Sequence, residues 1–114
     1  DMNLEPKMET IIQLARIDSN QKPGLICKSE NFAREVKGSL KDVGLENIFL
    51  EYTLKKGEPL KSFIKSRDIL ITSPQRYREV KKLANNKKVI NFDYKPDQGS
   101  INMLNTALLD LQMV

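Results

Sequence analysis

Histidine is absent from the 114 residues. That excludes His-based acid–base catalysis, Ser–His and Cys–His dyads, and zinc sites that need imidazole. Cysteine occurs once, at Cys27. A lone thiol builds no internal disulfide, so a reducing, cytoplasmic setting is the simplest expectation. Tryptophan is missing, and no aromatic pattern accompanies the lysines in the way a nucleic-acid-stacking surface requires. No apolar run approaches the roughly 18 residues that cross a bilayer, and no basic–apolar–small leader opens the chain. The start at Asp1-Met2-Asn3 reads as a piece of something larger. Acidic residues show no spacing suited to Mg²⁺ or Ca²⁺. Glycine-rich phosphate loops of the Gly-x-Gly-x-x-Gly kind are lacking too. Neither a metal nor a cofactor is implied.

What remains is the composition of one folded domain, with 39% apolar and 30% charged residues. The net charge is +4 and the sequence pI near 9.2. The cations gather in two groups, Lys55, Lys56, Lys61, Lys65 and Arg67, then Arg76, Arg78, Lys81, Lys82, Lys87 and Lys88. Both read as solvated helix faces, because long cationic side chains coat surfaces cheaply.

Leu4, Met8, Ile11, Ile12 and Ala15 recur at helical spacing and predict a helix over 4–17, with Pro6 in its first turn. Four strand-then-helix units follow. Gly24-Leu-Ile-Cys27 is a short apolar strand, and Ser29 is placed to cap a helix over 30–43 carrying Phe32, Val36 and Leu40. Gly44 is placed to end that helix. Residues 48–52 alternate, with Ile48, Leu50 and Tyr52 on one face, and Leu60, Phe63 and Ile64 mark a short helix. Residues 68–72 form the third strand. Ser73-Pro74 then pairs a capping hydroxyl with proline at the first helical position, and Tyr77, Val80, Leu83 and Ala84 give the inner face. Val89-Ile-Asn-Phe92 is the fourth strand, and a last helix over 100–112 carries Ile101, Leu104, Leu108 and Leu111.

This alternation predicts a single α/β domain over 1–114. A four-stranded parallel sheet lies between two helical layers, its strands ordered 2-1-3-4, a Rossmann-like arrangement. Open parallel sheets bind ligands beyond their carboxyl ends, where strand order reverses. Here that point lies between the first and third strands. The residues expected there are Ser29 and Asn31, then Thr72, Ser73 and Gln75, then Asp97, Gln98, Gly99 and Ser100. Helix N-termini behind these loops favour an anionic ligand. For each serine the plainer alternative is a helix cap.

Enzymatic readings fare poorly. A response-regulator receiver needs an acidic pair after its first strand and an aspartate ending its third, where this chain has Cys27-Lys28 and Thr72-Ser73. A IIB-type phosphocarrier of the phosphotransferase system would use a cysteine like Cys27, so it stands as the rival reading. Lys28, Glu30 and Phe32, however, make a poor phosphate cradle without glycine. A packing thiol is the simpler role for Cys27.

The segments from Gly24 to Gly44 and from Arg67 to Leu83 resemble the effector domain of some bacterial GntR-type transcriptional regulators. That resemblance implies a periplasmic-binding-protein-like half-domain, cytoplasmic, that senses a small effector and dimerises. DNA would be contacted only through a separate domain. The expected function is therefore regulatory and non-catalytic. The surplus apolar surface of the two terminal helices predicts a homodimer through Met8 and Ile12 or through Leu104 and Leu108.

Overall fold

The computed structural model describes residues 4–48 and 50–96. In chain order these form β1 (Leu4–Pro6), α1 (Met8–Ala15), β2 (Pro23–Ile26), α2 (Glu30–Asp42), β3 (Glu51–Thr53), α3 (Gly57–Lys65), β4 (Ile69–Thr72), a 3-10 turn (Pro74–Arg76), α4 (Tyr77–Leu83), β5 (Lys88–Asn91) and β6 (Tyr94–Pro96). Four of the strands make one parallel sheet in the order β3-β2-β4-β5. This is the 2-1-3-4 order of a Rossmann-like α/β domain.

Alternation along the strands divides the core in two. Leu25, Cys27, Ile69, Ile71, Ile90 and Phe92 face one side, where Leu14 of α1 and Phe32, Ala33, Val36 and Leu40 of α2 cover them. Ile26, Leu70 and Val89 face the other, against Leu60 and Ile64 of α3 and Val80 of α4. β2 and β4 are buried along their whole length, which is why they read as unbroken apolar runs. Each large aliphatic side chain buried here contributes about 1.5–3 kcal/mol. β3 is one of the two edge strands, with Glu51 and Tyr52 exposed.

The local signals act as their chemistry suggests. Ser29 Oγ accepts the Phe32 N–H at 3.2 Å and caps α2. Gly44 has φ +78°, which lets the Leu45 N–H return to the Leu40 carbonyl at 2.7 Å and close the helix.

Several expectations need correction. The first helix does not reach back to residue 4. Leu4–Pro6 is a strand paired antiparallel with Tyr94–Pro96, a second, two-stranded sheet that periodicity within residues 4–17 could not reveal. Proline is tolerated in so short a ribbon because each of its two strands has an outer edge that pairs with nothing among the described residues. The Lys7 N–H then donates to the Asp93 carbonyl at 3.1 Å, so α1 starts one turn later than expected. The second strand begins at Glu51 rather than at 48, because the Ile48 N–H closes a turn onto the Leu45 carbonyl. Leu50 is still buried, and the Lys37 ammonium lies 5.5 Å from the centre of the Tyr52 ring.

Three cations leave the supposed solvated face, Arg67 with its guanidinium against the Phe63 ring and the two that follow. Arg76 is buried, only 4% exposed. Lys87 donates from Nζ to the carbonyls of Ile64, Lys65 and Arg67 at 2.7–3.0 Å, capping the C-terminal end of α3. The last helix expected over 100–112 lies outside the described residues.

Candidate functional site

The carboxyl edge of the sheet is assembled by backbone hydrogen bonds between strand ends. The Cys27 N–H donates to the Thr53 carbonyl at 3.2 Å, and the Ser73 N–H to the Ile26 carbonyl at 3.0 Å. The Phe92 N–H donates to the Thr72 carbonyl at 2.8 Å. From β2 the chain goes to β3 on one side and then crosses back to β4 on the other. Strand order therefore reverses between β2 and β4, and the loops that open there are Cys27–Ser29 and Ser73–Arg76.

Ser29, Thr72 and Ser73 lie at this edge, as expected. Thr72 and Ser73 are fully buried. Their hydroxyls find no hydrogen-bond partner among the described residues. The same holds for Asn91 Oδ1, on the neighbouring strand opposite Thr72. Ser73 was expected to cap the following helix. Its backbone is extended, but its hydroxyl makes no capping bond, because a 3-10 turn led by Pro74 intervenes before α4. Alternation turns Thr72 and Asn91 towards the α3–α4 side. Asn31 and Gln75 are exposed at the surface. Asp97, Gln98, Gly99 and Ser100 lie outside the described residues.

Sequence reasoning missed Arg76. Its guanidinium ties three elements together, donating from Nε to Glu79 Oε1 at 2.8 Å, from Nη1 to the Cys27 carbonyl at 3.3 Å and from Nη2 to the Lys55 carbonyl at 2.8 Å. The loops after β2 and β3 are thereby pinned to the start of α4. The hydrogen bond from Arg76, with help from the Arg76 and Lys56 charges, holds the Glu79 carboxyl below its ordinary pKa against the opposing effect of burial. The i, i+3 spacing of Arg76 and Glu79 was a readable signal, but nothing local marks the two distant carbonyls. Asn91 was the other available signal, a polar residue inside an apolar strand.

Cys27 is fully buried and belongs to the core cluster with Leu25 and Phe32. Burial pushes its thiol above the ordinary value, outweighing the Ser29 backbone N–H and the Arg76 charge, which pull it down. Such surroundings oppose the thiolate that a phosphoryl acceptor would present.

Beyond β5 the edge is closed by α1. Lys7 Nζ lies 2.7 Å from Asp93 Oδ2, and that hydrogen bond raises the Lys7 pKa. Buried Thr10 donates its hydroxyl to the Asp93 carbonyl at 3.4 Å.

No helix among the described residues is long and apolar enough to cross a membrane. The chain matches a family described as the YmtS Rossmann-like domain over residues 24–114, from β2 onward. It is 39% identical over 89 residues to a protein of Clostridium tetanomorphum described as an "Uncharacterized protein in mutS 5'region", an alignment covering 76% of this chain and 89% of that one. No solved structure matches. These findings overturn the resemblance to GntR-type effector domains, and with it the reading as part of a transcriptional regulator. The residues quoted for it are strand, cap and helix positions that any small parallel α/β domain repeats. With β2 to β5 forming a parallel sheet in Rossmann-like order, the chain belongs to the YmtS Rossmann-like domain family.

Proposed function

We propose that this domain is a non-catalytic binding module that takes a small anion at the carboxyl edge of its sheet, between β2 and β4. The observation that carries the reading is the pair of buried, unpartnered hydroxyls of Thr72 and Ser73 at the point of strand reversal. A buried hydroxyl without a partner costs about 1–3 kcal/mol, and an acceptor brought by a ligand would recover part of it. The surroundings suit an anion. Helical geometry leaves the first N–H groups of α2 without acceptors inside the helix, and Ser29 takes only that of Phe32. Lys28, Lys55 and Lys56 flank the same edge. Arg76 is already committed to Glu79 and two carbonyls, so it positions the loops rather than meeting the ligand.

The test is the thermal unfolding of the full chain with inorganic phosphate, against sodium chloride of matched ionic strength. Phosphate should raise the melting temperature, and Ser73→Ala should abolish that rise. Equal melting temperatures in the two salts would refute the proposal.

Self-association is the second part of the reading. Met8 and Ile12 stand one turn apart on α1, 68% and 44% exposed. We infer that this stripe is covered by a second copy of the chain. Leu104 and Leu108, the other residues expected at that interface, lie outside the described residues. Sedimentation at tens of micromolar should show a dimer that Ile12→Glu converts to a folded monomer. A monomeric wild type would rule the interface out.

A further inference from the structure

The opposite, amino edge of the sheet holds a cleft of about 480 Å³. Three loops build it, those leading into β2, β3 and β4. Its apolar side is Ile17, Pro23 and Ile48. Around this lie two cations, Lys22 and Arg67, and two carboxylates, Asp18 and Glu51.

The backbone of Lys22 and the side chain of Arg67 are held in place. Lys22 exchanges backbone bonds with the β4 loop, its N–H donating to Asp68 Oδ2 at 2.8 Å and its carbonyl accepting the Asp68 N–H at 2.9 Å. Arg67 lies with its guanidinium carbon 5.0 Å from the centre of the Phe63 ring, and its Nη2 donates to Glu51 Oε2 at 2.6 Å. Its side chain is only 16% exposed. Gly24 makes this packing possible, since a Cβ there would lie 2.6 Å from Arg67 Cγ and 2.7 Å from Phe63 Cε2. The turn carrying Asp18 is fixed as well, by the Gln21 N–H on the Asp18 carbonyl and the Asp18 N–H on Gln21 Oε1, each at 3.0 Å.

Cations and carboxylates balance around an apolar patch of modest size. Such a field gives little net attraction to a simple anion or a simple cation, and favours a molecule carrying both charges. The volume lies within the range of small-molecule sites. We propose that this cleft is a second binding site, which takes a small apolar zwitterion of the free amino-acid class. Lys22 and Arg67 face its carboxylate, Asp18 and Glu51 its ammonium, and Ile17, Pro23 and Ile48 its side chain. The proposal is independent of the anion site at the carboxyl edge.

The experiment is amide-resolved NMR titration of the full chain with L-leucine. Two analogues serve as comparisons: isocaproate, which lacks the amine, and isoamylamine, which lacks the carboxylate. Leucine should shift the amides of Lys22, Glu51 and Arg67, and each analogue should bind about tenfold more weakly or worse. Lys22→Ala and Asp18→Asn alter exposed side chains and leave the packing of Arg67 intact. Each should weaken leucine by about tenfold while the rest of the spectrum stays that of the folded chain. Thr72→Val should leave leucine binding unchanged, which separates this site from the carboxyl edge. The proposal falls if leucine does not bind, if either analogue binds as tightly as leucine, or if the shifted amides lie elsewhere.

Discussion

Thr72→Val should make the unliganded protein more stable. The side chain is fully buried, and its hydroxyl has no partner among the described residues. Valine keeps the shape, so no cavity opens, and its β-branch suits the strand at least as well. The change removes a buried polar group that folding leaves unpaired, a cost of about 1–3 kcal/mol for an orphaned hydroxyl. We expect a gain of about 1 kcal/mol, near the low end of that range, because a small relaxation towards Asn91, its register neighbour, would already lessen the penalty. For a domain of this size that is about 4 °C in melting temperature. Ser73→Ala should move stability the same way, for the same reason. Ser29→Ala is the contrasting case. Its hydroxyl accepts the Phe32 N–H at 3.2 Å, so removing it should cost about 1 kcal/mol. Urea denaturation at constant m-value measures all three changes. If Thr72→Val and Ser73→Ala each lose about 1 kcal/mol, as Ser29→Ala should, their hydroxyls are satisfied and the case for a ligand at this edge collapses. With phosphate bound, the sign should reverse, since both variants lose donors that the anion would use.

Three further residues of the same edge can be perturbed. Arg76→Lys keeps the charge but cannot span Glu79 and the carbonyls of Cys27 and Lys55 together, so it should cost about 2–3 kcal/mol in urea denaturation; a loss below about 0.5 kcal/mol would show that the clamp is unimportant. The Glu79 carboxyl is depressed in the folded state, so its stabilisation is present above its unfolded pKa and lost as pH falls through the folded value; Glu79→Gln should flatten that acid-side loss, and an unchanged profile would refute the coupling. The Cys27 thiol is raised by burial, so it should react with a disulfide reagent far more slowly in the native protein than in the unfolded chain, with an apparent pKa above the ordinary thiol value. Cys27→Ser should lower stability modestly and leave the phosphate-induced shift intact, whereas transfer of phosphate to Cys27 from a phosphotransferase system would reinstate the phosphocarrier reading.

The sheet was legible in the sequence because its signals are local. Leu25-Ile26 and Ile69-Leu70-Ile71 are buried on both faces, so they read as unbroken apolar runs. Ser29 and Gly44 act on their own helix, within one turn of it. The β1–β6 ribbon was illegible for the converse reason. It joins residues 4–6 to residues 94–96, and three-residue strands carry too little pattern to stand against a helical period in the neighbouring sequence. Phe32 and Phe92 likewise meet edge to face, with ring centres 5.9 Å apart, through the fold alone.

Arg76 shows where reading a charge run fails. Among Arg76, Arg78, Lys81 and Lys82 every member looks like a solvated cation, and helical spacing separates them only by face. What buries Arg76 is a pair of backbone carbonyls, one at Cys27 and one at Lys55, that become neighbours only when β2, β3 and β4 align in register. A lysine could not answer both carbonyls and Glu79, so it is the planar fork of the guanidinium that suits the position, rather than its charge alone. The clamp also explains why Thr72 and Ser73 can remain unpaired. Arg76 leads the turn after β4 into contact with Cys27 and Lys55, and so its donors are spent on those loops rather than on the hydroxyls beside it. On the proposed reading the partner for the hydroxyls is a ligand, and since the first N–H groups of α2 are donors too, a ligand that accepts from both would be an anion.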